Sequence, residues 1–171
     1  RYHFLSRPRR FGKSLMLSVL KSIFLGKKEL FKGHYIYDRV EFKSYPVLHL
    51  SFAGFSEKRD LEEYIKDNAV VFIEDEEINI KEFKNFDLGK ILKKIYQDTG
   101  KPVVFLIDEY DKPILAHLKN LHKAEEIRDY FKYFYSPIKD SDRYIQFFML
   151  TGLTKLMKMN LFSVLNNPKD I

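Results

Sequence analysis

The sequence predicts an α/β fold in which a parallel sheet is flanked by helices. Four apolar runs alternate with helical stretches, and strands that alternate with helices are typical of a parallel sheet. A Gly-Lys-Ser triplet follows the first apolar run, and an Asp-Glu pair ends the third. These polar residues come at the carboxyl ends of the predicted strands, where α/β sheets bind their ligands.

The four predicted strands cover residues 2–6, 46–52, 103–108 and 145–151. The predicted helices cover residues 13–25, 58–73, 87–97, 114–120 and 124–135. The aromatic stretch 30–45 shows no regular period and is interpreted as a lid or a packing arm. The acidic run 74–77 is interpreted as a solvated helix end or loop, and residues 156–171 as a loop whose partner lies beyond the chain end.

The first predicted strand leads into a loop with the residue types of a phosphate-binding (Walker A) loop. Gly12, Lys13 and Ser14 close the pattern G-x-x-x-x-G-K-[ST], whereas Arg7 stands where that pattern opens with glycine. A helix beginning near Lys13 would offer its unpaired N–H groups and its dipole to a phosphate. Lys13 is expected to reach the β- and γ-phosphates, and the Ser14 hydroxyl to bind Mg²⁺. The alternative is a basic turn before an ordinary helix.

The residues around this triplet extend the predicted nucleotide site. Arg7, Arg9 and Arg10 would place three cations beside a polyanion, and Pro8 would stiffen the loop. The predicted cofactor-binding residues are Arg9, Arg10, Phe11, Gly12, Lys13, Ser14 and Leu15.

The third predicted strand ends in two acids, Asp108 and Glu109, as in a Walker B motif. Its fully apolar run suits the buried centre of a parallel sheet. Asp108 is predicted to hold Mg²⁺ through water, opposite Ser14. Glu109 is predicted to act as the general base that activates the attacking water. The alternative is a strand that happens to end in an acidic turn.

The fourth predicted strand ends at Thr151, just before Gly152. In additional-strand ATPases a polar residue at this strand end senses the γ-phosphate, so Thr151 is the candidate sensor. The alternative is a strand-ending threonine before a glycine turn. The predicted catalytic residues are therefore Glu109, Lys13 and Thr151, and the predicted metal ligands are Ser14 and Asp108.

Composition limits the classes of function. The absence of cysteine excludes disulfides, zinc–thiolate sites and cysteine nucleophiles. No run of 18 apolar residues and no signal peptide is visible, so a single cytoplasmic domain without a membrane partner is expected. The chain starts directly in a predicted strand without an initiator Met, so a fragment of a longer protein is expected.

The net charge of +6 is unevenly distributed. Residues 1–43 carry 11 Lys and Arg against 3 acids, whereas residues 44–111 carry 9 against 15. A basic N-terminal third suits binding of nucleotide or nucleic acid. Three hypotheses follow: an ATP-binding and ATP-hydrolysing domain, a nucleotide-gated interaction module with little turnover, and a basic nucleic-acid-binding domain. The sequence leaves the oligomeric state open.

Three motifs in order resemble the AAA-ATPase-like family of bacterial and archaeal P-loop proteins. They lie in residues 4–15, 106–114 and 150–167, and the resemblance covers nearly the whole chain. Arg commonly opens the loop in that family, so Arg7 is no departure there. The resemblance implies ATP and Mg²⁺ as cofactors, with Gly12, Lys13, Ser14, Asp108 and Glu109 at the site and Thr151 as sensor.

The same resemblance implies a P-loop NTPase of the additional-strand (AAA+/STAND-like) type, truncated at both ends. In this type the acidic strand is not adjacent to the P-loop strand. Members are often followed by a PD-(D/E)XK nuclease-like domain, which makes such an appended domain a candidate partner. The fifth core strand and any lid or nuclease-like domain are expected beyond Ile171, so no nuclease activity is assigned to these residues.

Overall fold

The computed structural model describes residues 2–74, 76–83 and 87–153 and the backbone of residues 169–170. The strands are β1 (Tyr2–Ser6), β2 (Val47–Ser51), β3 (Val70–Ile73), β4 (Glu76–Asn79), β5 (Val103–Asp108), β6 (Ile145–Gly152) and β7 (Lys169–Asp170). The helices are α1 (Lys13–Phe24), α2 (Leu61–Asn68), α3 (Leu88–Thr99), α4 (Lys112–Ala116) and α5 (Leu121–Asp140). Short 3₁₀ helices cover Lys28–Phe31, Ile80–Glu82 and Asp142–Tyr144.

The strands form one sheet in the order β4-β3-β2-β5-β6-β1-β7. The pairs β2–β5, β5–β6, β6–β1 and β1–β7 are parallel, whereas β3 pairs antiparallel with both β2 and β4. β6 therefore lies between β1 and β5. In register, Leu5 lies opposite Thr151 and Ser51 opposite Asp108, so the parallel strands end at the same edge of the sheet.

Helices cover both faces of the sheet. Alternate residues of β5 point to opposite faces, as the pleat requires. Val104 and Leu106 belong to the core beneath α1, whereas Phe105 and Ile107 belong to the larger core shared with the other helices. Every residue of β5 is buried, which explains why this central strand reads as an uninterrupted apolar run.

The predicted helix over residues 58–73 is wrong at both ends. Asp60 caps α2 by accepting a hydrogen bond from the Glu63 N–H at 3.0 Å, so the helix begins at Leu61. The chain leaves the helix at Ala69, which is extended, and residues 70–73 form β3.

The acidic run 74–77 is also only partly a loop. Glu74 lies in the turn with a φ of 54°, whereas Glu76 and Glu77 belong to β4 at the sheet edge. The expected parallel sheet therefore has an antiparallel edge, made by β3 and β4.

The aromatic stretch 30–45 is a packing arm against α1, one of the two interpretations offered by the sequence. The Tyr45 N–H donates to the Phe24 carbonyl at the end of α1, with N and O 2.7 Å apart. Within this arm the rings of Phe31 and Phe42 pack with centroids 5.2 Å apart. The arm is thus fixed to the C-terminal end of α1 at its base.

The other predicted helices are present with small shifts, and α5 is longer than expected because it continues through Pro137 to Asp140. Residues 154–168, including the last part of the third motif and most of the expected final loop, lie outside the described residues. A fifth parallel strand was expected only beyond Ile171, and the structure pairs β7 in parallel with the outer side of β1. No helix in the described part of the chain is long and apolar enough to cross a lipid bilayer.

Candidate nucleotide site

The candidate site lies where β1, β5 and β6 end at the same edge of the sheet. β1 runs into the loop of residues 7–12, which leads into α1. β5 ends at Asp108, and Thr151 is the last but one residue of β6. Three parallel strands thus bring together residues that are far apart in sequence, at the position where α/β sheets bind ligands.

The loop between β1 and α1 has two residues in the left-handed region. Arg10 has a φ of 67° and Gly12 a φ of 71°. Gly12 is also the residue that caps α1, and neither a capping side chain nor an acid in the first turn occupies the start of this helix. The first N–H groups of α1 have no partner inside the helix, so this end favours an anion.

Lys13 is buried beneath this loop, with only 6% of the residue exposed. Its Nζ donates to the carbonyl oxygens of Arg7 at 2.9 Å and of Pro8 at 3.0 Å. These two bonds fix the position of the ammonium group and place a positive charge inside the loop. The predicted role of Lys13 as a phosphate ligand stays a prediction.

Asp108 accepts hydrogen bonds from two hydroxyl groups. The Ser14 Oγ donates to Asp108 Oδ2, with the two oxygens 2.5 Å apart, and the Thr151 Oγ1 donates to Oδ1. Asp108 and Thr151 are both buried. The structure therefore brings both predicted metal ligands and the predicted sensor into one cluster.

Thr151 also connects Asp108, the last residue of β5, with Glu109. The Glu109 N–H donates to Thr151 Oγ1 at 3.4 Å, and the Tyr110 N–H donates to the Thr151 carbonyl at 3.1 Å. Because Thr151 is fully buried, its hydroxyl contacts the site through Asp108. Its predicted contact with a γ-phosphate stays a prediction.

Glu109 adopts a left-handed conformation with a φ of 52°, which is uncommon for a residue other than glycine. Its Oε2 lies 3.7 Å from the Nζ of Lys112, and this lysine also donates to the Ala53 carbonyl. The backbone of Glu109 is thus part of the cluster, while its carboxylate is paired with Lys112. Both side chains are about one third exposed, so this ion pair is a weak one.

The remaining predicted cofactor-binding residues surround the loop at the surface. Arg9, Arg10, Phe11 and Leu15 are exposed. Within residues 2–74, 76–83 and 87–153, no ion pair joins Arg9 or Arg10, or the neighbouring Arg7, to a carboxylate. The Arg7 guanidinium donates instead to the Ser6 carbonyl at 3.0 Å.

Sequence reasoning missed three residues that hold the acidic turn in place. Tyr110 is fully buried, its ring packs edge-on against Phe4 at 5.7 Å, and burial raises its pKa far above the ordinary value. Asp111 accepts a hydrogen bond from the Leu153 N–H at 2.7 Å. A Cβ on Gly152 would lie 2.5 Å from Tyr110 Cε1. The sequence signal for this packing was Tyr110, an aromatic residue that stands between Glu109 and Asp111 directly after a buried strand.

The oxygen donors at this site fit Mg²⁺. Mg²⁺ prefers oxygen ligands and usually keeps several waters while it binds one or two protein groups and substrate phosphates. The Ser14 hydroxyl and the Asp108 carboxylate provide two such groups. The described residues contain no cluster of three or more His, Cys, Asp or Glu that could hold a metal. The donor set therefore suits an ion that is shared with a bound phosphate.

Comparison with known proteins identifies the family of the chain. A family model described as "Predicted AAA-ATPase" matches residues 1–162. A protein of Azotobacter chroococcum mcd 1, described as an uncharacterized protein in the vnfD 5' region, is 42% identical over 176 residues. That alignment covers 99% of this chain and 34% of the relative, so the chain spans about a third of the relative's length. No solved structure matches the chain. The resemblance seen in the sequence is confirmed, and the chain belongs to the family of predicted AAA-ATPases.

Proposed function

We propose that this domain binds ATP together with Mg²⁺ at the loop between β1 and α1 and hydrolyses it. The contact between Ser14 and Asp108 is the observation that carries the proposal. It joins the hydroxyl of the Gly-Lys-Ser loop to the acid at the end of β5, two groups separated by 94 positions in sequence. A basic turn before an ordinary helix would not require this contact.

We also propose that the fold is of the additional-strand type found in AAA+ and STAND proteins. The supporting observation is the sheet order, in which β6 separates β1 from β5. This arrangement places Thr151 between the loop and the acid pair, and its hydroxyl contacts Asp108.

Different residues of the chain would have different roles in phosphoryl transfer. The N–H groups at the start of α1 bind phosphate oxygens, and Lys13 offsets their negative charge. Ser14 and Asp108 hold Mg²⁺, which neutralises charge on the phosphates when it is bound. Glu109 accepts a proton from the attacking water.

The Glu109 carboxylate lies 3.7 Å from the Nζ of Lys112, which also bonds the Ala53 carbonyl. This contact supports a second candidate function, a nucleotide-gated interaction module with little turnover. In this function Glu109 keeps its contact with Lys112 when ATP binds, and hydrolysis stays slow. In this second function, ATP binding changes the contacts of the domain with a partner. An appended nuclease-like domain is one candidate for that partner.

Calorimetry with Mg-ATP tests the binding step. Lys13→Ala should weaken binding at least tenfold, because a hydrogen bond to a charged group contributes about 1.5–3 kcal/mol. Lys139→Ala removes an equal charge from the exposed end of α5 and is the matched control. Equal affinities of the wild type and Lys13→Ala would contradict nucleotide binding at this loop.

Phosphate release measured with Glu109→Gln separates the two candidate functions. If the domain is an ATPase, this variant keeps its affinity for ATP and loses turnover by about 10²- to 10⁴-fold, the usual contribution of a general base. If the domain is a nucleotide-gated module, the wild type already turns over slowly and the substitution changes little.

The third hypothesis, binding of nucleic acid by the basic N-terminal face, is tested by salt titration. Binding through phosphate contacts weakens steeply as salt increases. Absence of any DNA or RNA binding at low salt would remove this hypothesis.

A further inference from the structure

A groove lies between α1 and the arm. The volume of this groove is about 620 Å³, within the range of sites that bind small molecules or several side chains of a partner. The residues that line it are Ser18, Val19, Lys21, Ser22, Leu30, Phe31, His34, Tyr35 and Ile36. None of the predicted nucleotide-binding residues is among them.

The groove is bordered by apolar side chains that the rest of the described chain leaves exposed. Leu30 is 63% exposed and Tyr35 75% exposed. On α1, the lining residue Val19 is 37% exposed. Exposed apolar side chains that border one groove often mark a site of interaction.

The charge at the groove is positive. The lining contains one lysine, Lys21, whose Nζ lies 4.0 Å from the Phe72 ring centroid, and no carboxylate. Arg39 lies over the ring of Tyr35, with its guanidinium carbon 4.0 Å from the ring centroid. Lys28 and Lys32 flank the lining residues Leu30 and Phe31 in sequence.

Residues 27–45 carry five Lys and Arg against three acids, and two of these acids, Glu29 and Glu41, have a partner. Glu29 accepts a hydrogen bond from the Tyr37 hydroxyl at 3.3 Å, and Glu41 pairs with Lys43 at 3.0 Å. The groove therefore combines apolar contacts with cations that a negatively charged partner would complement.

The walls of the groove favour a helical occupant. All nine lining residues belong to α1 or to the 3₁₀ helix and turns of the arm, so the groove offers no strand edge that an extended peptide could pair with. A helix can pack its side chains into the grooves of another helix surface, with the two axes 8–10 Å apart. Binding of an amphipathic helix in an apolar groove is a common mode of peptide recognition.

We propose that this groove binds the apolar face of an acidic amphipathic helix from a partner protein. The proposal does not depend on ATP hydrolysis, since the groove and the nucleotide loop share no residue. The two sites are nevertheless close, because Ser14 and Ser18 are one helical turn apart on α1, about 6 Å along its axis.

Fluorescence anisotropy with two labelled peptides tests the proposal on the purified chain. Both peptides are helices of about 18 residues, five turns, with leucine along one face. The remaining positions are glutamate in one peptide and lysine in the other. We expect the acidic peptide to bind at least tenfold more tightly than the basic one, and this preference to shrink at high salt.

Two groove variants and one control complete this experiment. Leu30→Glu and Tyr35→Ser should each weaken binding of the acidic peptide at least tenfold. Tyr133→Ser is the control, because Tyr133 is equally exposed, at 74%, and lies on α5. The helical circular dichroism and thermal midpoint of the groove variants must match the wild type, which is expected for residues this exposed.

Other results would overturn the proposal. Equal binding of both peptides, or an unchanged affinity in Leu30→Glu, would show that the groove is not the site. Binding to phosphatidylserine vesicles without peptide binding would assign this surface to an anionic membrane. A dimer in sedimentation that Leu30→Glu dissociates would assign the surface to a second copy of the chain.

Discussion

Gly152 determines how closely the acidic turn after β5 can approach the end of β6. A Cβ at this position would lie 2.5 Å from Tyr110 Cε1, 2.9 Å from Tyr110 Cδ1 and 3.1 Å from Asp111 Cγ. The Tyr110 ring is fully buried against Phe4, so it has no room to move away. Because Gly152 carries a hydrogen atom in place of a Cβ, the Glu109 N–H can come within hydrogen-bonding distance of the Thr151 hydroxyl.

Gly152→Ala should therefore destabilise the domain by about 1–3 kcal/mol, the usual cost of overpacking a core. Urea denaturation measures this change in the free energy of unfolding. Gly54→Ala is the control, since its Cβ would meet only the Tyr64 hydroxyl at 3.3 Å. If Gly152→Ala costs no more than Gly54→Ala, the close packing of the acidic turn is not what stabilises this region.

Ser14 offers a second test at the scale of single residues. Its hydroxyl contacts Asp108, whereas the Ser136 hydroxyl donates only to the Tyr133 carbonyl in its own helix, at 2.8 Å. We expect Ser14→Ala to reduce the affinity for ATP about 3- to 10-fold in the presence of Mg²⁺, from the 0.5–1.5 kcal/mol of one hydrogen bond. Without Mg²⁺ the difference should shrink. Ser136→Ala should bind ATP as the wild type does, and an equal loss in both variants would contradict a metal role for Ser14.

At the scale of elements, the four main strands could be predicted because each is a largely apolar run with most of its residues buried. β3 was missed because residues 70–73 continue the apolar spacing of α2, although three of its four residues are β-branched. β4 could not be predicted at all. Its residues are mostly polar, and it is a strand only because it pairs with β3 at the edge of the sheet.

His49 makes the packing of β2 beneath α1 sensitive to pH. It lies on the same face of β2 as Val47, in the core layer that α1 covers. Burial lowers the pKa of His49, the charge of Lys21 on α1 lowers it further, and Asp108 on β5 opposes both. Folding therefore favours the neutral imidazole.

The contribution of neutral His49 to the free energy of unfolding should be fully present above the unfolded pKa of about 6.5. It should be lost as the pH falls below that value. His49→Gln removes the titrating group, so its free energy of unfolding should decline less than that of the wild type between about pH 7.5 and pH 5. Urea denaturation across this range measures both slopes. Equal slopes in the two proteins would show that His49 is not the group responsible.

At the scale of the whole molecule, the sheet order decides which predicted site residues meet. The cluster of Ser14, Asp108 and Thr151 could be predicted from sequence because their motifs follow strands that the fold aligns at one edge. The pairing of Glu109 with Lys112 could not be found in this way. It depends on the left-handed backbone at Glu109 and on where α4 begins, which are consequences of tertiary packing.

Because the site joins β1, β5 and β6 in the sheet, a bound nucleotide should stabilise the domain as a whole. A ligand at 100 times its dissociation constant adds about 2.7 kcal/mol to the free energy of unfolding. For a domain of this size, 1 kcal/mol shifts the Tm by about 2–4 °C, so Mg-ATP should raise the Tm by roughly 5–10 °C. The wild type and Lys139→Ala should show this shift in a thermal melt, and Lys13→Ala should show little of it at the same ATP concentration. A Tm that saturating Mg-ATP leaves unchanged would contradict a nucleotide site at the centre of this sheet.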